Sequence, residues 1–116
     1  MHGLRDLRGK MDTPDRAVQA RRFLDLSRQV SGPNDTVVAC GDFNVGPGSE
    51  TLAILADAGL TELVTARGFE TTRTSHYTKP GRFADYMLVN REHDVRGFDV
   101  IRDPEVSDHC PLVLTL

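Results

Sequence analysis

"VACGDFNVGPGSE", residues 38–50, ends an apolar run at Gly41 and then sets a carboxylate and a carboxamide two positions apart. In extended backbone Asp42 and Asn44 point to one face, and Phe43 points to the other, toward a core. Gly41 lets a second backbone or a substrate come close. Two readings fit. Asp and Asn are common turn formers, so the segment can simply close a strand. It can also form the polar floor of a site, because open α/β sheets place ligands at strand ends. The preceding run, residues 37–40, is almost wholly apolar, as in a strand covered on both faces.

Upstream, Thr13 and Pro14 open a helix: Thr13 can cap free amides, Pro14 fits a first turn, and Asp15 complements the dipole. Ala17, Ala20 and Leu24 form a row at helical spacing, with Phe23, Leu26 and Val30 beside it, and "SGPND" stops the helix. Downstream, Ser49 caps a second helix with Leu52, Leu55 and Ala56 on one face and Gly59 at its end. Residues 60–65 read as a strand or an irregular turn, and residues 71–82, "TTRTSHYTKPGR", as a polar, solvated loop. Strands are expected at residues 83–89, 95–101 and 111–116, the last with its proline confined to the first position. Helix, strand, helix and then strands is an α/β or α+β layer order.

Two more segments hold groups able to do chemistry. In "RFADYMLV" Asp85 lies inside an apolar strand, where a carboxylate is costly unless paired, and a histidine or arginine is its natural partner. In "VSDHCPL" Asp108 and His109 precede the last strand, and His109 is an imidazole suited to a developing phosphoryl charge. Adjacent residues of a regular strand face opposite ways, so Asp108 and His109 serve one pocket only if the backbone bends, as Ser107 would allow. Taken alone, an "SDH" also fits an exposed turn. Arg16 and Gln19 also fit a solvated helix face, and "GPGS" lacks the lysine of a phosphate-binding loop.

Bulk properties narrow the class. A chain of 116 residues with 39% apolar and 27% charged residues is an ordinary globular composition, sized for one domain spanning residues 1–116. A net charge of −3 argues against holding nucleic acid by bulk electrostatics, yet leaves phosphate-bearing substrates open, because a bound cation can reverse the local field. Two cysteines, Cys40 and Cys110, are too few for a disulfide scaffold and read as reduced thiols of a cytoplasmic protein. No stretch is long and apolar enough to span a bilayer, and the first dozen residues are too charged for a secretory signal.

In this order and spacing, "VVACGDFN", "FADYMLV" and "VSDHCPLVL" resemble the closing signature of the endonuclease/exonuclease/phosphatase superfamily, with its DNase I-like fold. His2, Gly3, Arg16, Gln19 and Ala20 resemble the upstream strand end and helix of that family. The resemblance implies an α+β chain corresponding to the C-terminal half of a four-layer sandwich, a mixed sheet covered by two helices. It implies hydrolysis of a phosphodiester or phosphomonoester by an activated water. Asp42 would orient or deprotonate that water, Asn44 would hold the phosphate, and His109 would stabilise the phosphoryl oxygens with Asp85 fixing its orientation. His2 would be a second phosphate-facing imidazole. Asp108, with Asp42, would lie at a divalent cation, Mg²⁺ or Mn²⁺. The family's early asparagine and metal-binding glutamate have no counterpart, so the expectation is a truncated form with weakened metal binding and low or no activity alone. A sheet face left open by the absent half would favour a homodimer. The competing expectation is a catalytically silent, self-associating interaction module with the same fold. The substrate class, nucleic acid included, is not fixed by the sequence.

Overall fold

The computed structural model describes residues 14–116; Thr13, as a helix cap, and His2 and Gly3 lie outside them. Helix α1, Pro14–Val30, starts at the proline, has Asp15 in its first turn and Arg28 in its last, and buries Arg16, Ala17, Ala20 and Leu24. Arg16 is therefore an inward residue and not part of a solvated face. The Ser31 hydroxyl donates to the Ser27 carbonyl (2.6 Å), and Gly32 N donates to the Asp35 carboxylate (2.6 Å), which ends the helix in a tight turn.

Strand β1 (Val38–Asp42), helix α2 (Glu50–Asp57), strand β2 (Thr61–Glu62), helix α3 (Leu63–Ala66) and strand β3 (Asp85–Val89) follow, then a 3₁₀ turn at Glu92–Asp94 and strands β4 (Gly97–Val100) and β5 (Leu112–Thr115). Ser49 caps α2 by accepting from Leu52 N (3.2 Å). Gly59, at φ 93°, ends it, a left-handed position that glycine fills without strain. Where a strand or irregular turn is expected at residues 60–65, only Thr61 and Glu62 are extended. The Glu62 carboxylate then caps a four-residue helix by accepting from Val64 N and Thr65 N, and Leu63 and Val64 are fully buried. Burial of two apolar side chains outweighs the weak helix preference of "LVTA".

β3 is the centre of a three-stranded sheet ordered β1-β3-β2, and β4 pairs with β5 in a ribbon. Every one of these ladders is antiparallel, which makes the class α+β. The β1–β3 register sets Ala39 opposite Leu88 and Gly41 opposite Tyr86; on the other face Val38, Cys40 and Asp42 meet Val89, Met87 and Asp85. The first face packs on the helices, joining Ala39, Tyr86 and Leu88 with Ala20, Leu24, Leu52 and Leu55. The second buries Met87 and Val89 with Leu63 beneath Val95, Phe98, Leu112 and Leu114.

This second layer covers β3 and not β1. Val38 is 37% exposed and Cys40 is exposed, so β1 is not the strand covered on both faces that its apolar run suggests. Within the described residues β1 is an edge strand, beyond the footprint of the two-stranded ribbon. The two cysteines form no disulfide. No helix among the described residues is long and apolar enough to cross a membrane.

Tyr86 ties β3 to the loop after β1. It is fully buried, its hydroxyl donates to the Val45 carbonyl (2.9 Å), and its ring meets Phe43 edge to face at 5.9 Å. Burial pushes its phenol well above the usual range, so it remains a donor. Tyr86→Phe strands a buried carbonyl and is expected to lower unfolding free energy by about 1–2 kcal/mol in urea titration.

Candidate functional site

The register that builds the sheet also builds the site. Asp42 ends β1, Asp85 begins β3, and the two are directly opposed on the face away from α1 and α2. Past Asp42 the chain turns sharply. Gly41 has φ 140° and Asn44 has φ 56°, the latter in the left-handed region that asparagine tolerates better than most residues. Asn44 N donates to Asp42 Oδ1 (3.0 Å), and Phe43 N donates to the Ala84 carbonyl (2.8 Å). With the Phe43 ring buried at 1% exposure, the "GDFN" turn is pinned from below.

The third side chain arrives on a separate arm. Residues 72–74 run between the start of β3 and the segment before β5. Thr72 Oγ1 accepts from Ala84 N (3.1 Å) and Asp85 N (3.3 Å), while Thr72 O accepts from Cys110 N (2.8 Å). Thr74 N donates to Asp108 O (3.2 Å), and the Thr74 hydroxyl donates to the Ser107 carbonyl. Ser107 Oγ accepts from His109 N (3.1 Å), which makes the local bend. Thr72, Arg73 and Thr74 are buried at 0%, 3% and 4% exposure. The polar stretch expected to be a solvated loop is thus, in its first half, an interior strut. Its hydroxyls pair with backbone groups, and threonine suits extended structure.

On this arm His109 reaches Asp85, with Nδ1 2.7 Å from Asp85 Oδ2. Its Nε2 lies 3.0 Å from Arg73 Nη1. A guanidinium only donates, so Nε2 accepts and the ring proton sits on Nδ1, facing the carboxylate. The anticipated partner of Asp85 is therefore the imidazole, with the arginine behind it. Arg73 also reaches Asp108 Oδ2 at 3.4 Å and lies 4.0 Å over the Tyr77 ring. Nothing in the sequence reading singled out Arg73; the available signal was a lone cation within a run of β-branched hydroxyl residues.

Ligand atoms of Asp42, Asp85 and His109 lie within 4.8 Å of one another. Burial raises the Asp85 carboxyl above its usual range; the His109 hydrogen bond and charge pull it down, and the Asp42 carboxylate pushes it up again. Two hard oxygen donors that repel each other fit a hard divalent cation, and the imidazole, held at Nδ1 by Asp85, fits less well as a ligand. Asp108, expected beside the metal, turns to Arg73 instead, and its carboxylate is 48% exposed. Asn44 is 9% exposed beside Asp42, Gln19 is half-buried on α1, and His2 lies outside the described residues.

Acidic and imidazole groups gathered at one end of a helix-backed antiparallel sheet agree with a phosphoesterase- or nuclease-like fold, the kind that the family match suggests. The chain belongs to the Endonuclease/Exonuclease/phosphatase family, whose pattern it matches over residues 6–109. Members act on phosphate esters and are generally dependent on divalent metal. No curated protein and no solved structure matches the chain.

Asn44→Gly and Asn44→Ala both remove the carboxamide, but only alanine is strained at φ 56°; the alanine variant is expected to be less stable by about 1 kcal/mol in chemical denaturation. For Asp85, a folded-state pKa raised by burial above the usual aspartate value means that its contribution to stability is full below that usual value and is lost as pH rises through the folded value. Asp85→Asn is accordingly expected to raise Tm at pH 7, with the difference closing as the pH falls below 3.8, in calorimetric scans across pH.

Proposed function

We propose that this chain hydrolyses phosphate esters by an activated water, with Mg²⁺ or Mn²⁺ held by the Asp42 and Asp85 carboxylates. The observation that supports this reading best is the meeting of Asp42, Asp85 and His109 within 4.8 Å, delivered by three separate segments. The cation, when bound, supplies Lewis acidity to a phosphoryl oxygen.

The chain's own residues divide the remaining work. Asp42 accepts a proton from the attacking water and orients it. Its Oδ1 is held by Asn44 N at 3.0 Å, so the orientation is set before substrate arrives. The Asn44 carboxamide, fixed by its left-handed backbone beside that carboxylate, offers a donor to the phosphate. His109 keeps its ring proton on Nδ1 against Asp85, and Arg73, almost wholly buried, stands behind the ring as a permanent positive charge. Negative charge that develops on the phosphoryl oxygens is stabilised by the Arg73 guanidinium, which the imidazole holds in place. His2 is a further phosphate-facing candidate by the family resemblance. With Asp108 committed to Arg73, two carboxylates are a sparse ligand set, and metal affinity is expected to be low.

Hydrolysis of bis-p-nitrophenyl phosphate tests the reading. Saturating Mg²⁺ is expected to support turnover that chelation abolishes and that Asp42→Ala lowers by about a hundredfold or more. Equal rates for the two proteins would remove the proposed site from the chemistry.

A further inference from the structure

Behind the His109 arm lies a cavity of about 470 Å³ whose walls include Arg73, Arg82 and Arg102, with Thr74, Ser75 and Glu105 among the rest. Three arginines and one acidic residue line it, a basic balance in a chain of net charge −3. The carboxylate is already occupied: Glu105 Oε2 accepts from Ser75 N (2.9 Å) and Ser75 Oγ (2.5 Å), and lies 3.8 Å from His76 Nε2. These hydrogen bonds hold its carboxyl below the usual range, so it is ionised and turned to its own side of the wall.

Of the three arginines, Arg73 also reaches Asp108 Oδ2 at 3.4 Å, and the other two have no carboxylate partner among the described residues. Arg82 is anchored by the carbonyls of Arg73 (3.0 Å), Thr74 (3.3 Å) and Tyr77 (3.4 Å), which fix its guanidinium without neutralising it. Arg73 Nε is buried with no hydrogen-bond partner. Among the described residues, Arg102 has no hydrogen-bond or ion-pair partner. A buried, unsatisfied N–H is costly, and positive charge gathered in a concave wall attracts anions. Arg73 belongs both to this wall and to the Asp42–Asp85–His109 cluster, through its contact with His109 Nε2. The two regions therefore adjoin.

We propose that this cavity is a second anion subsite, taking a phosphate group of the substrate other than the one being hydrolysed. It rests on the phosphoesterase reading above and narrows it to substrates with two phosphates. Arg102 supplies the open guanidinium, and Arg82 the fixed one. The subsite binds charge and takes no part in bond breaking.

The test compares thymidine 5′-(p-nitrophenyl phosphate) with its 3′-phosphorylated counterpart, which adds only the second anion. Wild-type protein is expected to show a KM roughly tenfold lower for the 3′-phosphorylated compound, the scale of one charge-assisted contact. Arg102→Ala should erase most of that difference through KM rather than kcat, and Arg102→Lys should restore part of it. Equal KM values for the two compounds, or a loss in Arg102→Ala that is the same for both, would overturn the proposal. If neither compound is hydrolysed, the phosphoesterase reading fails, and the subsite is decided by calorimetric titration of the metal-free full chain with inorganic phosphate. Binding that Arg102→Ala weakens severalfold supports it; absent or unaltered binding overturns it.

Discussion

The structure turns on two carboxylates placed directly across an antiparallel ladder. Asp42 and Asp85 occupy one register position, on the face that α1 and α2 do not cover. Like charges so placed repel, and the pair persists because every neighbour is arranged around it. His109 donates to Asp85, Asn44 N donates to Asp42, and Thr72 ties down the amides at the start of β3. A slip of one residue of β3 against β1 would turn Asp85 to the helix-packed face, away from Asp42, and bring Tyr86 and Leu88 out of the core. The hydrophobic pattern that builds the core therefore also aligns the acids.

Much of this was legible from residue order. The proline and aspartate at the start of α1, the serine before α2 and the apolar run of β3 each have a local physical cause, and each element formed where that cause lay. Asp85 stood out because an acid inside an apolar strand needs a partner, and the partner is an imidazole from the far end of the chain. Other features depend on distant neighbours and leave little local trace. α3 exists because its own cap, Glu62, and the burial of Leu63 and Val64 override a sequence with poor helix preference. Val38 and Cys40 read as interior because they are apolar, but exposure at a sheet edge is decided by how far the opposite layer reaches.

The stretch from Thr71 to Thr74 shows this limit most clearly. Composition marks it as surface, since hydroxyls and an arginine are usually solvated. Its hydroxyls are instead consumed by backbone groups on both sides, which makes the stretch a joint between two parts of the sheet system. Arg73 follows it inward and becomes the cation nearest His109. Asp108, adjacent to His109 in sequence, is drawn to that cation because Ser107 bends the chain enough for both side chains to reach it.

These ties span long stretches of chain. Asp85 and His109 are 24 residues apart, Arg73 and His109 are 36 apart, and Tyr86 and Val45 are 41 apart. Each such contact requires a large loop to close before it returns any favourable energy, so topologies of this kind fold slowly relative to helical ones. α1 and α2 can form early from local signals, whereas the acid–imidazole pair waits for the C-terminal ribbon to dock on β3. The acid–imidazole cluster therefore exists only once the longest loops of the chain have closed, and local helix formation by itself does not build it.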